Sequence, residues 1–185
     1  MSKSSHITSD SQQPVTTRKA CTSDATNIAK LGVHVFTITF GHSVPSQELQ
    51  AYLDKSYSIG AIAEDLEDPM KDIIVATDQS GEILGFAYLT RNTSEPCVAD
   101  LADKVELQRI YVDPAAHGKG IGSLLVRSIE EIARKRGFRN IWLGVWEENY
   151  KAQKAYERWG YQRVGEHDFV LGTVVQTDHI MAKSL

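Results

Sequence analysis

The sequence predicts a mixed α/β domain, and three observations carry that prediction. Apolar residues recur at helical spacing through the first third of the chain. Short β-branched segments bounded by Gly, Pro, Asn and Asp follow, first as a hairpin and then alternating with two more helical stretches. The resulting order is helices, a hairpin, then β-α-β-α-β-β, which belongs to a mixed sheet with helices packed on it. The chain has 185 residues, 42% hydrophobic and 24% charged, the usage of a soluble domain and enough length for one core plus a tail. We therefore expect a flexible tail over 1–14, which lacks the apolar side chains needed to offset ordering entropy, and a single domain over 15–185.

Each element has its own signal. A first short strand is expected over 15–20. Thr22, Ser23 and Asp24 offer an N-cap, and Ile28, Leu31, Val35, Phe36 and Phe40 then share a helical face, so a helix spans about 24–40. Pro45 and Ser46 open a second helix with Leu49, Tyr52 and Leu53 on one side. A third, over 58–68, ends before Pro69. Strands over 72–77 and 83–90 are joined by the turn Gln79-Ser80-Gly81, and 91–103 reads as a loop. The strand over 105–112 breaks at Asp113-Pro114 before a glycine-rich turn. Ile121, Leu124, Leu125, Ser128, Ile129, Ile132 and Ala133 then form an amphipathic stripe that closes on Arg134-Lys135-Arg136 and Gly137. The segment 141–146 is apolar at both parities apart from Gly144, the pattern of a strand buried on both faces. A helix over 149–159 stops at Gly160, and strands over about 161–170 and 177–182 form a terminal hairpin across Gly172.

Charge and cysteine usage bound the function. Lys and Arg number 20 against 24 Asp and Glu, a net charge of -4, so the basic excess that a phosphate backbone selects is absent and no nucleic-acid partner is expected. No apolar run approaches the ~20 residues of a membrane span, and the Ser/Thr/Gln-rich start has no apolar signal-peptide region, so we expect a cytoplasmic protein with no membrane partner. Cys21 and Cys97 stand far apart outside any CxxC and read as two free thiols. The six histidines show no ligand spacing, so no metal is expected.

The turn His117-Gly118-Lys119-Gly120-Ile121-Gly122 joins a strand to a helix, and so gathers backbone N–H groups and the positive helix terminus at one spot. Glycine permits close approach of a pyrophosphate, and Lys119 adds charge; the plainer alternative is a tight connection whose glycines only satisfy φ/ψ. A P-loop is excluded, because Gly120 follows Lys119 where Ser or Thr is required and Pro114 stands where its first Gly belongs. The dinucleotide fingerprint fails at Ser123.

The same turn resembles the Q/R-x-x-G-x-G/A element of the GNAT superfamily of acyl-CoA-dependent N-acyltransferases, with His117 in place of Gln or Arg. That family's second element, N-x-x-A-x-x-x-Y followed by G-F/Y, appears as Asn149, Ala152, Tyr156 and Gly160-Tyr161. Within the superfamily the chain is most similar to PaiA-type spermine/spermidine acetyltransferases. That likeness rests on the run Ile141 to Glu147, on Gln176-Thr177-Asp178 with Ile180 to Lys183, and on Phe36, Thr39-Phe40 and Ala51-Tyr52-Leu53. The resemblance implies a mostly antiparallel sheet with a splayed central parallel strand pair flanked by helices. It also implies acetyl-CoA as co-substrate without a metal, and direct transfer of acetyl to a small-molecule amine such as spermidine or spermine.

The resemblance assigns roles by position. Tyr156 matches the proton donor to the departing thiolate, against the plain reading of a packed helical aromatic. Glu106 stands where some members carry a catalytic base, with Gln108 next on its strand face, against the plain reading of a salt-bridged carboxylate. Ile110, Tyr111 and Val112 would meet the pantetheine arm through their backbones, as an added strand does. His117, Gly118, Lys119, Gly120, Ile121, Gly122 and Ser123 would receive the pyrophosphate. Asn149 would bond pantetheine or cap its helix, beside Ala152. The acidic run Glu64, Asp65, Glu67, Asp68 would attract a cationic acceptor or else form a solvated helix face. Alternatives of other classes are a protein or peptide N-acetyltransferase and a non-catalytic acyl-CoA sensor. A homodimer is compatible with all three.

Overall fold

In the computed structural model, which describes residues 14–185, the strands are Thr16–Lys19 (β1), Lys71–Thr77 (β2), Ile83–Thr90 (β3), Lys104–Val112 (β4), Asn140–Trp146 (β5), Gln162–Leu171 (β6) and Val174–Ser184 (β7). They form one seven-stranded sheet in the order β1-β2-β3-β4-β5-β7-β6. Helices Ala25–Phe40 (α1), Ser46–Tyr57 (α2) and Ile59–Glu67 (α3) cover one face, while Ile121–Lys135 (α4) and Tyr150–Arg158 (α5) cover the other. The predicted fold class is the observed one. The first thirteen residues, where most of the expected tail lies, fall outside the described residues.

Two cores follow from the two-residue period of the strands. On β2, Ile73 and Val75 join Ile28, Phe36, Tyr57, Ile62, Phe86 and Tyr88 beneath α1–α3. Ile74 and Ala76 join Leu107, Leu125, Ile129, Leu143 and Met181 beneath α4 and α5. A sheet covered on both sides leaves little polar parity, and this is why β2, β3 and β5 read as nearly continuous apolar runs while β4 keeps polar residues where the site lies.

Every strand pair is antiparallel except β4 with β5. That parallel pair holds only three rungs: Lys104 with Asn140, Val105 with Ile141, and Glu106 with Trp142. β5 then runs on beside β7 as far as Trp146 opposite Asp178. β4 keeps its pairing with β3 as far as Val112. Beyond Glu106 the two central strands therefore part, and a wedge-shaped gap opens between them.

Three local expectations are corrected. Asp24 stands at the start of α1 without capping it. Its carboxylate turns back to the Arg18 guanidinium at 2.7 and 2.8 Å and to the Cys21 N–H at 2.9 Å. Gln108 is not simply the next residue on Glu106's strand face: β3 pairs Tyr88 with Arg109 and Leu89 with Leu107, so Gln108 is the extra residue of a β-bulge. The bulge resets the parity and turns Arg109 and Tyr111 toward the helix α1–α3 face. Finally, the terminal hairpin is longer than 161–170 and 177–182. Glu48 of α2 accepts the Thr173 N–H at 2.9 Å and its hydroxyl at 2.8 Å. With Gly172 at φ +64, the tip is held tightly enough for the ladder to continue to Leu171 opposite Val174.

Candidate active site

The glycine-rich turn is a ring of unspent donors. Gly118 and Gly120 adopt φ of +80 and +78, which only glycine accepts readily, and this swings successive amides to one side. The N–H groups of Gly118, Lys119, Gly120, Ile121, Gly122 and Ser123 meet no acceptor among the described residues; the first helical bond behind them is Leu124 N–H to the Gly120 carbonyl at 3.0 Å. Six consecutive free donors at a helix start make an anion nest reinforced by the helix dipole. Lys119 stands beside it and makes no ion pair among the described residues.

Two side chains of the turn are committed internally. His117 places Nδ1 3.0 Å from Nζ of Lys151 and Nε2 3.2 Å from the Val112 carbonyl. A lysine ammonium only donates, so Nδ1 accepts and the Nε2–H donates to Val112. The departure from Gln or Arg thus ties the turn to α5 and sets Lys151 at its rim. The Ser123 hydroxyl accepts the indole N–H of Trp159 at 3.0 Å, which fixes its position and leaves its own O–H free to donate. Gly122 has a packing duty too, since a Cβ there would lie 3.2 Å from the Trp159 ring.

The turn opens directly onto the gap. Along β4, antiparallel pairing with β3 uses N–H and C=O groups at alternate positions, and the remaining ones point toward the missing rungs of β5. Ile110, Tyr111 and Val112 lie on this open edge. Tyr156 of α5 belongs to the core on the α4–α5 side of the sheet. Its ring is buried and packs edge-on against Trp159 and Tyr161 at 5.7 and 5.8 Å. Its hydroxyl makes no hydrogen bond among the described residues, and burial pushes the phenol well above its ordinary range. Asn149 is the cap of α5, with Oδ1 accepting the Ala152 N–H at 3.2 Å, so one of its two expected duties is filled by the protein itself.

The opposite mouth, on the α1–α3 side, is acidic and aromatic. Glu106 occupies the last shared rung, at the fork. Burial raises its carboxyl above the usual range, and Glu95 pushes the same way against Thr93, Arg109 and His167. Tyr111 and Tyr57 meet hydroxyl to hydroxyl at 2.7 Å, and the Arg109 guanidinium lies 4.7 Å over the Tyr57 ring. The acidic run of α3 does not face this mouth as a unit. Asp65 is spent on Arg109 at 3.3 Å and on Lys71, and Asp68 lies 3.7 Å from the same lysine. The bulge that turns Arg109 inward also consumes Asp65.

The arrangement offers donors for an anion at one end, an unpaired strand edge between, and a phenol and a carboxylate at opposite sides of the fork. Sequence reasoning gave no role to Lys151, Arg109 or Asp178: the first two stand at no motif position, and Asp178 entered only as a letter of the run Gln176-Thr177-Asp178; Lys151 stands 34 residues from the histidine it meets. Among the described residues no cluster of metal-ligating side chains occurs, and no helix is long and apolar enough to cross a membrane.

Residues 39–161 match the acetyltransferase (GNAT) family. An uncharacterised N-acetyltransferase of Mycobacterium tuberculosis is 29% identical over 162 residues, 88% of this chain and 98% of the relative. The spermine/spermidine N(1)-acetyltransferase of Bacillus subtilis is 34% identical over 67 residues, 36% of this chain and 44% of that one. Among solved structures, the PaiA N-acetyltransferase of Thermoplasma acidophilum in complex with coenzyme A superposes with a TM-score of 0.75 at 20% identity, covering 93% of this chain and 99% of that one.

Proposed function

The chain belongs to the GNAT acetyltransferase family and is an N-acetyltransferase, and on that premise we propose that it moves acetyl from acetyl-CoA to the primary amine of a small polyamine such as spermidine or spermine. The observation that carries the donor half is the run of six free amides leading into the parted strands. Acetyl-CoA supplies an activated acyl group on a thiol that leaves readily. The nest from Gly118 to Ser123, with Lys119 and Lys151 at its rim, holds the pyrophosphate, and the free edge over Ile110, Tyr111 and Val112 bonds the amide-bearing arm as a strand would.

Two side chains handle the protons. Glu106, directly or through one water, takes the proton of the acceptor ammonium and frees its lone pair. The new C–N bond forms as the C–S bond breaks, and Tyr156 gives its phenolic proton to the sulfur, so charge never accumulates on the leaving group. The protein forms no covalent bond in this scheme. Support for a polyamine acceptor comes from the aligned segment of the Bacillus relative and from the acidic, aromatic mouth.

The test is thiol release from acetyl-CoA in the presence of spermidine, spermine, a simple alkylamine and a peptide with a free α-amine. Turnover with the polyamines above the alkylamine is expected. Activity confined to the peptide would overturn the acceptor assignment, and cofactor binding without thiol release to any amine would identify a sensor.

A further inference from the structure

One carboxylate at the acceptor mouth is used by nothing in the fold. Asp178 sits on β7 opposite Trp146 of β5 and His167 of β6. It makes no hydrogen bond and no ion pair among the described residues. The side chain leans over β5, where a Cβ placed on Gly144 would lie 3.2 Å from its Oδ2. Directly opposed residues share a sheet face, so Asp178, Trp146 and Gly144 lie on the face of Glu106 and Trp142, the side covered by α1 and α2.

That floor is open. β5 is buried at Ile141, Trp142, Leu143, Val145 and Trp146, yet Gly144 in its middle is exposed. An exposed glycine in the centre of a covered strand marks a cleft that descends to the backbone. Its walls are aromatic. Trp146 packs on Phe40 at 5.2 Å and on His42 at 5.7 Å, and Tyr52 of α2 meets Phe169 edge-on at 5.9 Å. A carboxylate set among aromatic faces over an open floor suits an organic ammonium, which takes a charge-assisted bond from the one and cation–π attraction from the others. The other charged neighbours are His167 on β6 and Glu147 after β5.

We propose that Asp178 is the specificity residue for acceptors with a second positive charge, its carboxylate holding the non-reacting ammonium while the reacting nitrogen lies toward Glu106. This rests on the acceptor reading above. Burial lifts the carboxyl to about 6, with His167 opposing and Glu147 reinforcing; an unpartnered carboxylate in this setting costs the free protein stability and regains it when a cation arrives.

The experiment compares wild type with Asp178→Asn on an α,ω-diaminoalkane and on the monoamine of equal length. The diamine-to-monoamine ratio of kcat/KM is expected to fall by roughly 10- to 100-fold, mostly through the diamine KM, the loss of one charge-assisted contact. Tm of the free variant at neutral pH is expected to rise by roughly 2–6 °C, which a merely structural aspartate would not do. A second variant, Gly144→Ala, crowds the carboxylate and is expected to shift the same ratio in the same direction with a smaller amplitude. Calorimetric titration of the diamine into each protein reads binding without turnover. Thiol release by wild type with an unchanged ratio in Asp178→Asn overturns this inference alone. Diamine binding that depends on Asp178 without thiol release supports it while overturning the catalytic reading, and a wild type that binds no diamine overturns it outright.

Discussion

Tyr156 works as a donor only if it keeps its proton until sulfur needs it. Its burial favours that, because raising the phenol above its ordinary range keeps it protonated throughout the pH range in which amines react. Tyr156→Phe preserves the ring packing against Trp159 and Tyr161 and removes one oxygen. We expect kcat to fall by roughly 10²- to 10⁴-fold, with acetyl-CoA affinity by calorimetry unchanged. Glu106 must act in the opposite protonation state. Burial raises its pKa, so the active carboxylate form is lost as pH falls through a value above the usual glutamate range, and the acid limb of kcat/KM is expected at that higher pH. Glu106→Gln is expected to flatten the limb and lower the plateau by roughly 10- to 10³-fold; a pH profile identical to wild type would return Glu106 to a structural role. At this scale the letters pointed to Tyr156 and Glu106 as candidates, because each sits at a motif spacing. They gave no role to Asp178, which entered only through the run Gln176-Thr177-Asp178, because the part proposed for it depends on the glycine across the ladder.

The strand-turn-helix unit that ends β4 and opens α4 carries the next consequence. A Cβ at Gly120 would meet no atom within 4 Å, so the folded chain has room for a side chain there, and the obstacle is the positive φ. Gly120→Val is therefore expected to cost about 1–2 kcal/mol through the backbone and to aim a branched group into the ring of free amides. Acetyl-CoA at a hundredfold excess over its Kd is expected to stabilise the wild type by about 2.7 kcal/mol in thermal melts. The variant is expected to lose most of that shift. The unit was legible because glycine, proline and an apolar stripe all punctuate at the same place. The bulge at Gln108 was not, since neither glycine nor proline marks it and its cause is the register of β3. The full length of the last hairpin was hidden for a similar reason: Glu48 fixes its tip from a helix more than a hundred residues earlier.

At the scale of the whole molecule, the splayed parallel pair could be written down only through the likeness of two motifs to a family. Composition and periodicity placed helices and strands, but which strand lies beside which is decided by contacts that no local window contains. The parting of β4 from β5 is the plainest case: both segments read as strands, and nothing in either states that they share only three rungs. That parting also gives this sheet a third edge, lying inside the protein. Exposed edges invite stray chains to pair, and proteins blunt them with lysines, prolines or bulges. Here the inner edge keeps its apolar residues, Ile110 and Val112 packed toward α4 and Tyr111 clasped by Tyr57. Helices on both faces stand guard in place of charge. A foreign β-strand would have to fit side chains on alternate sides between those two helical layers, whereas an unbranched chain would not. The cover that would leave this edge to an unbranched ligand also shields it from neighbouring molecules.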